Sequence, residues 1–290
     1  MSVTLADAPV AAKDERVAAI RIRRILTHLA IFAIVIGGWE LLGVMGQLNN
    51  LILPAPSKIA YAIFDLYFVT GKIWWHFFVT MFEALAGFAI GVSVGVSLAV
   101  IAGLNPTFRR YIAPYVVLVQ VTPLIAVAPL MIAWLGFGWS SKIGIAALVC
   151  FFAPFLNTLT GLLNVDRDAE EMFRSLGASK WQVFWKLMLP SSIPIIMAGL
   201  KTAMALALIG AVVGEFISAS EGVGILMQRA SFALNIAESI AVLLSMALMG
   251  LILYAVMEIL DDRIVFWRRD VRMQAVSRRR KAAWATSGAN

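Results

Sequence analysis

The sequence predicts an all-α fold, a polytopic membrane protein with six transmembrane helices. Of its 290 residues 61% are hydrophobic and 14% charged, and mean hydropathy is +0.87. A soluble globular domain has roughly half and a quarter, respectively. Six apolar runs reach the ~20 residues that a helix needs to cross a bilayer. Basic residues also collect in alternate loops, as the positive-inside rule requires of a multi-pass protein. Helices are the expected element because in lipid a helix satisfies its backbone within its own segment, and the runs lack the alternation of barrel strands.

The runs fall at residues 25–45, 77–104, 112–135, 143–163, 192–214 and 239–260. The first is too long for the apolar core of a signal peptide and lacks a clear cleavage site, so it reads as a retained span. Between the first two spans, "LPAPSKIAYAIFDLYF" places Ile59, Ile63 and Leu66 on one face and leaves Lys58 and Asp65 solvated. Ser57 is a candidate cap for this short surface helix. The second run opens on "KIWWHFFVT", an aromatic interfacial belt. It continues with Gly87, Gly91, Gly95, Ala99 and Gly103, small residues four apart that let another helix approach closely.

The third run carries Pro123 and Pro129, each of which removes a backbone hydrogen bond and prevents a straight helix. Gln120, Thr122 and Pro123 at that break, Asn157 in the fourth run and Glu215 after the fifth are candidate pathway residues. Other ionisable groups sit near span ends: Glu40, Lys201 and Glu258 can snorkel, and Glu83 lies toward the outer end of the second span. The histidines, His28 and His76, read as interfacial residues. The lone cysteine, Cys150, can form no intrachain disulfide.

The chain shows no paired carboxylates, no HExxH and no plausible Ser/His pair, which argues against an intramembrane hydrolase; catalytic and metal residues are none. No GxxxxGK[ST] loop cradles nucleotide phosphates. A midplane nearly empty of charge disfavours the alternative reading, an ion-coupled secondary carrier.

The net charge of +7 is a topology signal rather than a nucleic-acid footprint. Nineteen of the 24 Lys and Arg lie before the first span, between spans two and three, between spans four and five, or after the last. Both termini are therefore expected in the cytoplasm. The chain divides into a cytoplasmic segment 1–24, a six-span domain 25–264 with a polar loop at 165–190, and a basic tail 265–290 whose Arg run meets anionic lipid headgroups.

That polar loop, "NVDRDAEEMFRSLGASKWQVFWKLMLP", lies between two apolar spans on the cytoplasmic side. Asp168 with Glu171 fits a capping box, and Gly177 suits a left-handed helix end. Ser179 with Gln182 starts a second helix, and Pro190 introduces the fifth span. Met172, Phe173 and Leu176 form one apolar face of the first short helix.

The loop resembles the EAA motif of binding-protein-dependent ABC importer permeases: Glu-Ala-Ala, three residues, Gly, nine residues, Ile, one residue, Leu-Pro. Glu171 takes the Glu, Gly177 the Gly, Leu187 the Ile position, and Leu189–Pro190 the close. Met172 and Phe173 replace the alanines and enlarge the knob. The resemblance extends from "LPAPS" at 53–57 through "TPLIAVAPLMIAWLGFG" to "GEFISASEGVGILM" at 214–227. It implies the type I importer fold, with a coupling helix around Glu171–Gly177 received by a dimer of ATPase subunits. It also implies an extracytoplasmic binding protein that meets segments such as 217–235, a second copy of the chain, and a bacterial inner-membrane location. ATP and Mg would belong to the partner subunit, with no cofactor on this chain. The phrases are similar to the nitrate, sulfonate and taurine branch, which includes permeases for thiamine-precursor pyrimidines.

Overall fold

The computed structural model describes residues 10–218 and 220–267. The first nine residues and the Arg run expected to meet lipid headgroups lie outside the described residues. All regular structure among the described residues is helical. Five helical stretches are long and apolar enough to cross a membrane, and six if one sharply bent pair counts as a single span.

The chain forms two compact units. One comprises the residues up to Thr70 together with Ala230–Ala241. Here α1 (Val10–Val44) is followed by α2 (Pro56–Phe64) and a π-turn at Asp65–Val69. The two helices are joined closely: a Cβ on Gly43 would lie 2.7 Å from Ala55 Cβ. Ser57 does not cap α2, whose N-cap position is Ala55 with Pro56 at its first turn. Ser57 instead donates to Glu40 through its backbone N–H at 2.9 Å and its hydroxyl at 2.7 Å. Glu40 thus has a specific partner rather than only a snorkelling role. Ile59 and Leu66 are buried as their spacing requires, while Tyr61 and Phe64 stay exposed.

The second unit comprises Gly71–Arg229 and the chain from Val242. Its frame is α3 (Lys72–Leu104), α6 (Trp139–Cys150) with α7 (Phe152–Leu163), and α10 (Leu189–Ser218). The small stripe of α3 packs on α6 and α7: a Cβ on Gly87 would collide with Ala146, and one on Gly91 with Cys150. Ala84, Ala146 and Ala211 form one buried cluster, and Cys150, Ala153, Ala203 and Ala207 another. In lipid the hydrophobic effect does not drive helices together, so close contact between small residues does. Gly91→Leu is therefore expected to cost at least 1–3 kcal/mol by overpacking, read as a lowered melting temperature of the solubilised protein.

The third run is not one straight helix. α4 (Pro106–Val121) and α5 (Leu124–Leu135) are separated at Thr122–Pro123, and their axes bend by 105°. Thr122 Oγ1 donates back to Leu118 O at 2.8 Å, and Pro123 offers no N–H to continue the ladder. Lys201 on α10 forms ion pairs with Glu258 and Asp261 of α12 (Ile236–Ile264), each at 2.6 Å, so its charge is paired within the protein.

Candidate functional site

The polar loop folds as its capping residues dictate, with one difference. α8 (Arg167–Ser175) is capped by Asp166, whose side chain accepts from Asp168 N at 3.0 Å. The expected Asp168–Glu171 box is thus replaced by a cap two residues earlier, which leaves Asp168 in the first turn, favourable to the helix dipole. The helix ends as expected at Gly177, with φ +78°. Ala178 N donates to Phe173 O at 3.1 Å and Gly177 N to Arg174 O at 2.9 Å, closing the last turn.

Ser179 and Gln182 form the complete capping box of α9 (Lys180–Val183). A π-turn at Phe184–Met188 carries that helix without interruption into α10, so Leu187 and Pro190 lie within one continuous helical stretch, Lys180–Ser218. Pro190 sits in the first turn of α10, behind that π-turn. Beside the loop Trp181 stacks on Phe184, and Trp185 meets both rings edge-on.

α8 has no buried residue. Met172 is 56% exposed and Leu176 79%, with Phe173 partly covered and Glu171 and Gly177 at the surface. The single intrahelical ion pair, Glu170 with Arg174 at 2.6 Å, supports the polar side of the helix. A nine-residue helix this short is marginal alone, yet it presents two large apolar side chains to solvent. It borders a polar concavity lined by Gly103, Leu104 and Pro106 together with Glu170, Arg174 and Lys180. The C-terminal end of α3 therefore lies beside the loop.

The opposite end of α3 holds a second arrangement that the sequence did not reveal. Glu83 and Glu215 are both fully buried, and Lys142 is 3% exposed. Lys142 belongs to α6, which starts at Trp139, rather than to a loop before the fourth span. Its Nζ lies 3.6 Å from Glu83 Oε1, so the charge sits inside the protein because it is paired. Glu215 accepts from Thr80 Oγ1 at 2.5 Å and from Gly224 N at 2.5 Å. Thr80 Oγ1 in turn accepts from Val223 N at 2.8 Å, and His76 Nδ1 accepts from Gly222 N at 2.8 Å. The five polar side chains come from α3, α6 and α10 and are separated in sequence by up to about 140 residues, so periodicity carried no signal of their meeting.

The remaining pathway candidates are dispersed. Gln120 and Pro123 are exposed at the α4–α5 break and Thr122 is partly covered. Asn157 on α7 donates to Ala153 O at 2.9 Å and packs against Gly199 of α10. A concavity of about 530 Å³ on α10 and α12, lined by Met204, Leu208, Val212, Leu243 and Tyr254 among others, includes none of the five.

Taken together, the described residues form an all-helical membrane domain with an exposed two-helix loop before its penultimate span. Residues 91–268 match the family of binding-protein-dependent transport system inner membrane components, and the chain belongs to that family. It is a permease of an ABC importer, set in the inner membrane with several spans. The formylaminopyrimidine transport permease protein ThiX of Halalkalibacterium halodurans is 32% identical over 75% of this chain and 86% of its own. The riboflavin transport system permease protein RibX of Chloroflexus aurantiacus is 32% identical over 74% of this chain and 80% of its own. The putative aliphatic sulfonates transport permease protein SsuC of Escherichia coli K12 is also 32% identical, over 74% of this chain and 82% of its own. Among solved structures, the inward-facing methionine ABC transporter MetNI shares the fold with TM-score 0.57 and 18% identity, over 69% of this chain and 98% of that one. An amino acid ABC transporter solved with histidines aligns with TM-score 0.56 and 15% identity, over 74% and 99%.

Proposed function

We propose that two copies of this chain form the transmembrane pathway for a small solute delivered by an external binding protein, and that ATP hydrolysis, with its Mg, takes place on a separate ATPase dimer docked at α8. The observation that carries the reading is the exposed apolar knob of Met172 and Leu176 on a helix with no buried residue of its own. Glu171 and Phe173 complete the docking surface, Gly177 turns the chain, and Leu187 and Pro190 join the loop rigidly to α10, so that a push on α8 moves a span.

The nineteen basic residues on that side support a cytoplasmic location for both termini and α8. From Thr80 to Leu104 α3 rises by about 36 Å at 1.5 Å per residue, more than the ~30 Å hydrocarbon core. Its two ends thus lie on opposite faces, with the Glu215 cluster outside. Gln120, Thr122, Pro123 and Asn157 are neutral pathway candidates, and Glu215 bounds that pathway at its outer end. The solute is a sulfonate or taurine, nitrate, or a thiamine-precursor pyrimidine; of these, the names of SsuC and ThiX support the sulfonate and pyrimidine readings.

The test is to purify the tagged chain gently from its native membrane. A stoichiometric ATPase subunit is expected with the unsubstituted chain and is expected to be lost from Gly177→Asp and Glu171→Arg. Normal solute uptake in either variant would overturn the role of α8, and a chain that purifies alone and moves solute without ATP would favour the secondary carrier.

A further inference from the structure

The first N–H groups of a helix have no partner within it and need capping. In α11 (Val223–Phe232) the N–H groups of Gly222, Val223 and Gly224 are satisfied by none of its own side chains. They are satisfied by His76 and Thr80 of α3 and Glu215 of α10, at 2.8, 2.8 and 2.5 Å. The fit leaves no slack. Gly222 has φ +115°, and a Cβ there would overlap the Glu215 carboxyl group; at Gly224 it would approach Oε2 to 2.7 Å. The two glycines of "SEGVG" are therefore the condition for wrapping backbone around one buried carboxylate.

We propose, on the reading that this chain is an ATP-driven permease, that Thr80, Glu215 and His76 are positioning residues that latch the segment 220–224 and the start of α11 to the outer ends of α3 and α10, and that the latch opens during transport. Both helices that carry it continue to the coupling loop at the other face: α3 ends beside Arg174, and α10 is continuous with α9. A shift of one helix against the other must separate Thr80 from Glu215.

The native chain offers a clean reporter, since its one cysteine, Cys150, is buried. Val223 is fully buried under the latch, so a thiol introduced by Val223→Cys is reached only when α11 lifts. The assembled transporter, with its ATPase subunits, is placed in nanodiscs and labelled with a polar maleimide. Labelling is expected to be slow in the parent, about tenfold faster with Thr80→Val, which removes the acceptor of the Val223 N–H, and restored to the parental rate with Thr80→Ser. MgATP with vanadate is expected to accelerate labelling in the parent. A parental rate with Thr80→Val, or a rate in the parent indifferent to nucleotide while ATP is hydrolysed, would overturn the latch.

If Thr80→Val fails to assemble, His76→Ala makes the same comparison. Hydrogen exchange of amides 222–224, with and without nucleotide, reads the opening in the unsubstituted complex. A chain that purifies without an ATPase subunit would instead sink the importer reading on which the latch rests.

Discussion

Lys142→Met is expected to destabilise the permease by about 3–5 kcal/mol, because it strands a charge in a dry site. Lys142 and Glu83 are 4% and 0% exposed at their side chains, so water cannot stand in for the lost partner. No donor lies in hydrogen-bonding geometry to either Glu83 oxygen, which leaves Lys142 at 3.6 Å as its ion-pair partner. The check is thermal unfolding of the solubilised complex, followed by fluorescence or by loss of monodispersity. Removing both partners, as Glu83→Leu with Lys142→Met, is expected to recover most of the loss, since an apolar pair of similar volume is often as stable as a buried ion pair. A single Lys142→Met variant that melts with the parent would mean that the ammonium contributes nothing to the cluster.

Met172→Asp combined with Leu176→Asp is expected to leave stability within about 0.5 kcal/mol and yet reduce ATP-driven uptake tenfold or more. The first expectation follows from exposure: side chains more than half in solvent contribute little to the fold of the isolated chain. The second follows from burial on docking, where each large apolar side chain is worth roughly 1.5–3 kcal/mol, or a factor of ten and upward in affinity. Uptake in vesicles, beside the melting temperature of the same preparation, separates the two effects. A parallel fall in both would assign the knob to folding, and unchanged uptake would remove α8 from the coupling surface. Gly177→Asp acts differently, because the left-handed conformation at φ +78° itself resists a side chain.

The local features of this protein were legible in its sequence. Apolar runs of span length, the alternation of basic loops, the small residues four apart on α3, the Gly177 turn and the Ser179–Gln182 cap are each fixed within a window of a few residues to a few turns. Helix periodicity, capping chemistry and bilayer thickness act at that range, and the observed elements follow them. The misassignments were also local, and each came from competition between neighbouring side chains. Asp166 capped α8 in place of Asp168, and Ser57 was drawn from the start of α2 to Glu40.

What only the tertiary structure decided is the fate of the charges. Read one at a time, Glu83, Lys142 and Glu215 are end-of-span or loop residues, and His76 and Thr80 are parts of an aromatic belt. Whether such groups face water, lipid or one another depends on how α3, α6 and α10 pack, and no periodic pattern encodes that. Packing of the small-residue faces brings them within hydrogen-bonding and ion-pair distance, and burial then converts ordinary polar side chains into an obligatory set of partners. The sequence by itself determined a six-run helical membrane permease with a polar two-helix loop. The close approach of three helices decided which of its polar residues meet at the end of α3 away from that loop.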